Sequence, residues 1–326
     1  MLIGYRAERQ RSSLEALAAC MRGDPPCAPN WDNIIREANK HLVGPALHVA
    51  LAKSRRPVSV PDDAKAYLRL QHDLNCERNA RLRTQCLEAV AALNKAGIEP
   101  ILLKGTAILW TATEDALGLR MISDLDLLVP PEQLSQAMEA LLSQGYKANF
   151  KAGDHAHAKL YRTRDAGTVD LHHRPPGPAH LYQGHPNSAA EIVDVAGHRA
   201  RIPPVTDRMI HLIAHDMIND RHFLRGSIDL RHLLDLRDLI KTGAVDWSAL
   251  HSRFRLRVLP WAFKLCLINL RELLRVDIQD AAASGFLPRV LYGRQIFLER
   301  NPWFRRIEPV WTIFRLYRRL QGKISA

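Results

Sequence analysis

The chain divides into stretches with different spacing of apolar positions. Over residues 1–97 the spacing is helical. SSLEALAACM carries apolar residues three and four apart, and residues 31–53 repeat that pattern with a break at Gly44-Pro45. The turn RRPVSVPDD leads into a long periodic segment, residues 64–96. Pro61 and the two aspartates after it suit its start, and Gly97 suits its stop.

The texture changes at Pro100. ILLKG is a short buried-strand pattern ending in glycine, TAILW opens a helix, and MISDLDLLVP is a second strand stopped by Pro130-Pro131. PEQLSQAMEALLSQGY begins with proline and ends with glycine, as helices do. Strand-like pieces follow at 146–150, 157–162 and 168–172, then a loop rich in Pro, Gly and His over 174–188. EIVDVAGHRARIPP reads as a hairpin turning at Ala196-Gly197. From Val205 the helical period returns, over 205–219, 228–241, 246–257, 260–275 and two further segments. The predicted plan is α+β: an N-terminal helical region (1–97), a small mixed-sheet core (98–204) and a C-terminal helical bundle (205–326).

The sharpest chemistry lies in Ser123-Asp124-Leu125-Asp126-Leu127-Leu128-Val129. Side chains alternate across a strand, so Asp124 and Asp126 share one face while Leu125 and Leu127 face a core. Like charges on one face repel unless a cation, a donor or water separates them. Mg²⁺ answers that need with hard oxygen ligands, and substrate phosphates complete its shell. Thr168-Val169-Asp170-Leu171-His172 repeats the alternation and puts Asp170 beside His172. If the two strands are neighbours, three carboxylates converge, a set able to hold two Mg²⁺ ions (Mn²⁺ as substitute) for displacement at phosphorus. Asp170 is then the candidate for the ligand nearest the attacking oxygen, and for general base.

Upstream, Leu103-Lys104-Gly105-Thr106 sits at a strand-to-helix junction. Gly105 permits close backbone approach, Thr106 adds a hydroxyl, and Lys104 supplies a mobile charge, together a candidate triphosphate cradle. Arg120 can serve the phosphates or the carboxylates; an ion pair holding its loop is the alternative. His172 can contact phosphate or hold the acceptor, with support of Asp170 as its structural reading.

Composition alters the picture in three places. Lys+Arg total 46 against 34 Asp+Glu, and the imbalance is local: residues 250–326 hold 15 basic and 5 acidic side chains. Such a region suits acidic partners, or arginines on solvated helix faces. In WFRRIEPVWTIFRLYRRL arginines alternate with apolar residues at helical spacing, which favours packing over membrane or nucleic-acid contact. The five cysteines are scattered with no CxxC pair, and no apolar run reaches transmembrane length or forms a secretory signal at the start, so a cytoplasmic location is expected. Of the fifteen histidines, His211 and His215 stand four apart on a helix. HLIAH lacks the glutamate of a metalloprotease motif, and no third ligand is indicated. His215, Asp216, Asp229, Arg231, His232 and Asp235 read as interhelical pairs.

LLKGTAIL, then R-MISDLDLLV, then TVDLHHR resembles the uncharacterised nucleotidyltransferase family of the polymerase-β superfamily, over roughly residues 98–175. The resemblance implies that Gly105 and Thr106 stand where a Gly-Ser pair binds nucleotide phosphates. It also implies that Asp124, Asp126 and Asp170 are the metal carboxylates. Threonine replaces the usual serine, and the interval from Gly105 to Asp124 exceeds that of minimal members. The implied activity is Mg²⁺-dependent transfer of a nucleoside monophosphate from an NTP, ATP by analogy. Its implied acceptor is a small molecule, sugar, peptide or protein rather than RNA. The competing expectation is a non-catalytic nucleotide- or RNA-binding module using the same cleft and the basic C-terminal region.

Overall fold

The computed structural model describes residues 12–54, 56, 58–149, 156–182, 190–278 and 283–306. Helices α1 (Ser13–Met21), α2 (Trp31–Lys40) and α3 (Gly44–Ala52) open the chain, with the Gly44-Pro45 break falling at the start of α3. Ser12 caps α1 reciprocally: its Oγ accepts from Glu15 N, and the Glu15 carboxylate accepts from Ser12 N at 2.8 Å. Helix α4 (Asp62–Lys95) runs 34 residues, with two aspartates in its first turn and a lysine in its last, matching the helix dipole.

Strand β1 (Ile101–Leu102) turns directly into α5 (Lys104–Thr111); β2 (Asp124–Leu128) and α6 (Leu134–Ser143) follow. Then come β3 (Lys147–Asn149), β4 (Ala156–Tyr161), β5 (Thr168–His172), β6 (Glu191–Val195) and β7 (His198–Ile202). The last two form the expected hairpin. Ala196 and Gly197 both have positive φ, 55° and 79°, as a two-residue turn matching strand twist requires.

All seven strands join one mixed sheet in the order β3-β4-β5-β2-β1-β7-β6. The central pair β2 and β5 is parallel, with Asp124 opposite Thr168, Asp126 opposite Asp170 and Leu128 opposite His172. Leu125, Leu127, Val169 and Leu171 are fully buried against α4, α5 and α6, in one of two main apolar cores.

Helix α7 (Val205–Ile213) continues into a π-helical stretch, Ala214–Asn219, and is followed by α8 (His222–Arg225), α9 (Leu230–Lys241), α10 (Trp247–Arg253), α11 (Leu259–Leu274) and α12 (Phe286–Arg300). These helices share the second core with α1–α3, so the first and last described helices are packed together. Helix α4 spans both cores: Ala64 and Leu68 belong to this one, and Leu82, Cys86, Val90 and Leu93 to the sheet core. Among the described residues no helix is long and apolar enough to cross a membrane. The final expected helix lies outside them, as do Arg315, Arg318 and Arg319 of the basic region.

Candidate active site

The sheet face opposite the α4–α6 core carries the carboxylates. Parallel pairing puts Asp126 beside Asp170 in register, with Asp124 two residues earlier on the same face. Asp126 is 4% exposed, and its Oδ1 lies 2.9 Å from both Lys104 Nζ and His172 Nε2. Burial alone would raise its pKa, but the Lys104 charge and the His172 hydrogen bond hold the carboxyl well below the usual carboxylate range. Asp170 is shifted the other way. Burial raises it, and Asp124 and Asp126 add to the rise against the opposing Lys159 ammonium at 3.4 Å. Asp124 accepts from Ser123 Oγ at 3.0 Å.

That donor set fits a divalent cation. It offers carboxylate oxygens from two adjacent strands, one of them buried, and the mutual repulsion registered at Asp170 is what a hard cation relieves. The trio is not gathered around one point, however. Among the described residues the group of ligand atoms all within 4.8 Å of one another lies elsewhere, at Asp216, Asp229 and His232. Hydrogen bonding accounts for that group: Asp216 Oδ1 lies 2.7 Å from His222 Nδ1 and 3.1 Å from His232 Nδ1, while Asp229 caps α9 by accepting from Arg231 N and His232 N. Of these, Asp216–His232 is an interhelical pair of the kind the sequence suggests, while Asp229 pairs within α9.

The junction before α5 is built differently from a simple phosphate cradle. Lys104 adopts φ 47°, a left-handed conformation costing a non-glycine residue roughly 1–2 kcal/mol, and this aims its ammonium at Asp126. Gly105 is buried under Ile122, whose Cγ1 would lie 3.3 Å from an added Cβ. Thr106 is fully buried; its Oγ1 accepts from Asp126 N at 2.7 Å and its own amide donates to Leu103 O at 3.0 Å. The Thr106 amide is therefore committed to the fold and its hydroxyl is buried with an acceptor role inside the strand junction, so the groups nearest the open face are the Lys104 ammonium and the Gly105 amide. Arg120 is likewise not brought to the carboxylates. Its guanidinium grips Asp235 of α9 through contacts of 2.8, 2.9 and 3.0 Å and also donates to Met121 O. His172 binds Asp126 rather than Asp170.

Several residues of the site region escape sequence reasoning. Asn75 and Asn79 of α4 donate from their side-chain amides to Gly118 O, Leu117 O and Arg120 O, and Arg78 reaches the carbonyls of Ile122 and Ala166. His211 of α7 is buried close enough to Lys104, Asp126 and His172 to feel their charges, and burial pushes its imidazole well below the ordinary pKa.

The model of the uncharacterised nucleotidyltransferase family matches residues 28–275. The chain belongs to that family. The match takes in α2–α11, the whole sheet and Asp124, Asp126 and Asp170. No curated protein and no solved structure matches the chain. As a family member it is a nucleotidyltransferase, with an NTP as co-substrate.

Proposed function

We propose that this nucleotidyltransferase moves a nucleoside monophosphate from an NTP, with ATP as the first donor to test, to a small-molecule, sugar, peptide or protein acceptor. The observation that carries the reading is the in-register pairing of Asp126 with Asp170 on a face shared with Asp124, Lys104 and His172. Asp124, Asp126 and Asp170 would hold two Mg²⁺ ions. Bound there, the ions supply charge stabilisation for the phosphoryl oxygens and the departing pyrophosphate.

The chain's own residues do the remainder. In the transfer an acceptor oxygen forms a bond to the α-phosphorus, the bond from that phosphorus to the β-bridging oxygen breaks, and the acceptor proton leaves to a base. Asp170, whose proton affinity is raised by burial and neighbouring carboxylates, suits that base. Lys104 sits where its ammonium can serve Asp126 or a phosphate oxygen, and His172 fixes the Asp126 carboxylate from the other side. All five cysteines are free, which supports a cytoplasmic setting.

Titration calorimetry of ATP, GTP, CTP and UTP, each with and without Mg²⁺, tests the site. Affinity should depend on Mg²⁺ and be lost in Asp126→Asn, while the variant's circular dichroism spectrum is unchanged. Mass spectrometry with candidate acceptors should then find a product heavier by one nucleoside monophosphate, absent with Asp124→Asn. Nucleotide affinity indifferent to Mg²⁺, with no product, would favour the non-catalytic module and defeat the proposal.

A further inference from the structure

A cavity of about 620 Å³ opens on the far side of Lys104, between α3, α5, α7 and α9. That size lies within the range of small-molecule sites. Its wall is aliphatic, with Val43, Ala46, Leu103, Ile108 and Leu234 among the lining residues, and none of those residues is Phe, Tyr or Trp. A nucleobase would find no aromatic ring to stack on. The polar groups that reach it are strongly biased towards positive charge.

One of these groups is a buried orphan, and a second makes no hydrogen bond. His211 is 5% exposed and its Nε2 makes no hydrogen bond. The Arg208 guanidinium, one turn earlier on α7, makes none among the described residues, although it faces Asp235. Asp235 is itself taken up by Arg120, so it does not neutralise Arg208 in full. A buried donor or acceptor left without a partner costs about 1–3 kcal/mol, which a complementary ligand removes. An aliphatic wall, a guanidinium that makes no hydrogen bond and only shares Asp235 with Arg120, and a buried imidazole nitrogen without a partner together specify an aliphatic body bearing an anionic group.

We propose that this cavity binds an aliphatic anion beside Lys104, and that this molecule is the acceptor; the second half of that statement rests on the function proposed above. A carboxylate or phosphate on the ligand would meet Arg208, and its body would lie along Ala46 and Ile108. Its far end, which carries the accepting hydroxyl, would approach the Lys104–Asp126 edge, where the hydroxyl oxygen bonds to the α-phosphorus as pyrophosphate leaves and its proton passes to Asp170. Such a site is separate from the nucleotide's, so both substrates can be held at once.

Octanoate, octanol and octyltrimethylammonium, which share one apolar body, test the charge preference by calorimetry on the full chain. Octanoate should bind at least tenfold more tightly than the other two. Arg208→Gln should weaken octanoate about tenfold, the effect of losing a charged hydrogen bond, while leaving octanol unchanged. Ala46→Trp, which fills the cavity, should weaken all binding, and saturating Mg²⁺-ATP should leave octanoate affinity within threefold. No octanoate binding, equal binding of the three probes, or indifference to both substitutions would overturn the inference. Displacement of octanoate by Mg²⁺-ATP would also overturn it, by making the cavity the nucleotide's own. Octanoate binding retained in a chain that binds no nucleotide would uphold the cavity and count against the proposed function alone.

Discussion

Arg120 and Asp235 form the contact whose removal is most informative, because they tie the loop before β2 to helix α9. Their side chains are 15% and 7% exposed, and Arg120 donates from both Nε and Nη2. Truncating Arg120 to Met keeps much of the apolar stem but leaves the Asp235 carboxylate buried without its main partner. Breaking a buried pair in this way costs about 3–5 kcal/mol. Arg208 also faces Asp235 and offsets part of that cost, so the lower end, about 3 kcal/mol, is expected. Asp235→Leu alone should cost less, since a free guanidinium at 15% exposure reaches water more easily than the carboxylate. The double variant removes both charges and should lie well above the sum of the two losses. Urea denaturation of the four proteins yields the coupling energy, expected at about 2 kcal/mol. Additive losses within 0.5 kcal/mol, on the order of normal scatter for independent sites, would refute the argument that this pair is a buried clamp.

Three further outcomes follow from individual contacts. Thr106→Val leaves Asp126 N without its acceptor and should cost about 1–3 kcal/mol in chemical denaturation, whereas Thr106→Ser should behave as wild type. Gly167→Ala places a Cβ 2.7 Å from Ser123 O and 2.8 Å from Leu82 Cδ2, so thermal melting should show a loss of about 1–3 kcal/mol from the forced separation of the strand leads. Burial would lower the His222 pKa, but its hydrogen bond to Asp216 raises it above the ordinary value. The stability this contributes is complete below about pH 6.5 and lost as pH rises through the folded value, so denaturation midpoints should fall between about pH 6 and 8 in wild type and show less of that slope in His222→Gln.

How much of this was readable from residues alone depends on the range of the interaction. Alternation in residues 124–129 and 168–172 is a local signal, and it is enough to orient three aspartates and to place leucine and valine against a core. Motifs of the same short range carry the family assignment and the α+β plan, both of which hold. Register is a different matter: β2 and β5 are separated by a helix and two strands, and nothing in either segment specifies that Asp126 meets Asp170 rather than Thr168. The same blindness explains His172, which the alternation places near Asp170 but which spans the strand gap to Asp126. Arg120 shows the limit most clearly: an ion pair holding its loop is one of its two readings, but the partner lies more than a hundred residues away on a helix whose aspartate the sequence assigns only to pairing among helices.

Helix α4 carries the argument one step further. Asn75, Asn79 and Gln85 are polar, yet they are buried, Asn75 and Asn79 in line with Leu68, Leu82, Cys86 and Leu93 on the helix. Each is spent on backbone that has no sheet or helix to satisfy it: the carbonyls of Leu117, Gly118 and Arg120 before β2, and the N–H and C=O of Gly167 before β5. Loops at this depth would otherwise carry orphaned polar groups. One helix thus holds the entry points of both carboxylate strands with side-chain amides. The spacing of Asp124, Asp126 and Asp170 is consequently fixed from behind the sheet, by residues that never touch the reacting face. At the front Lys104 and His172 hold Asp126, and Lys159 reaches Asp170. A site rigid at the back and held by an exchangeable ammonium at the front is suited to accepting cations and phosphates without rearranging its strands.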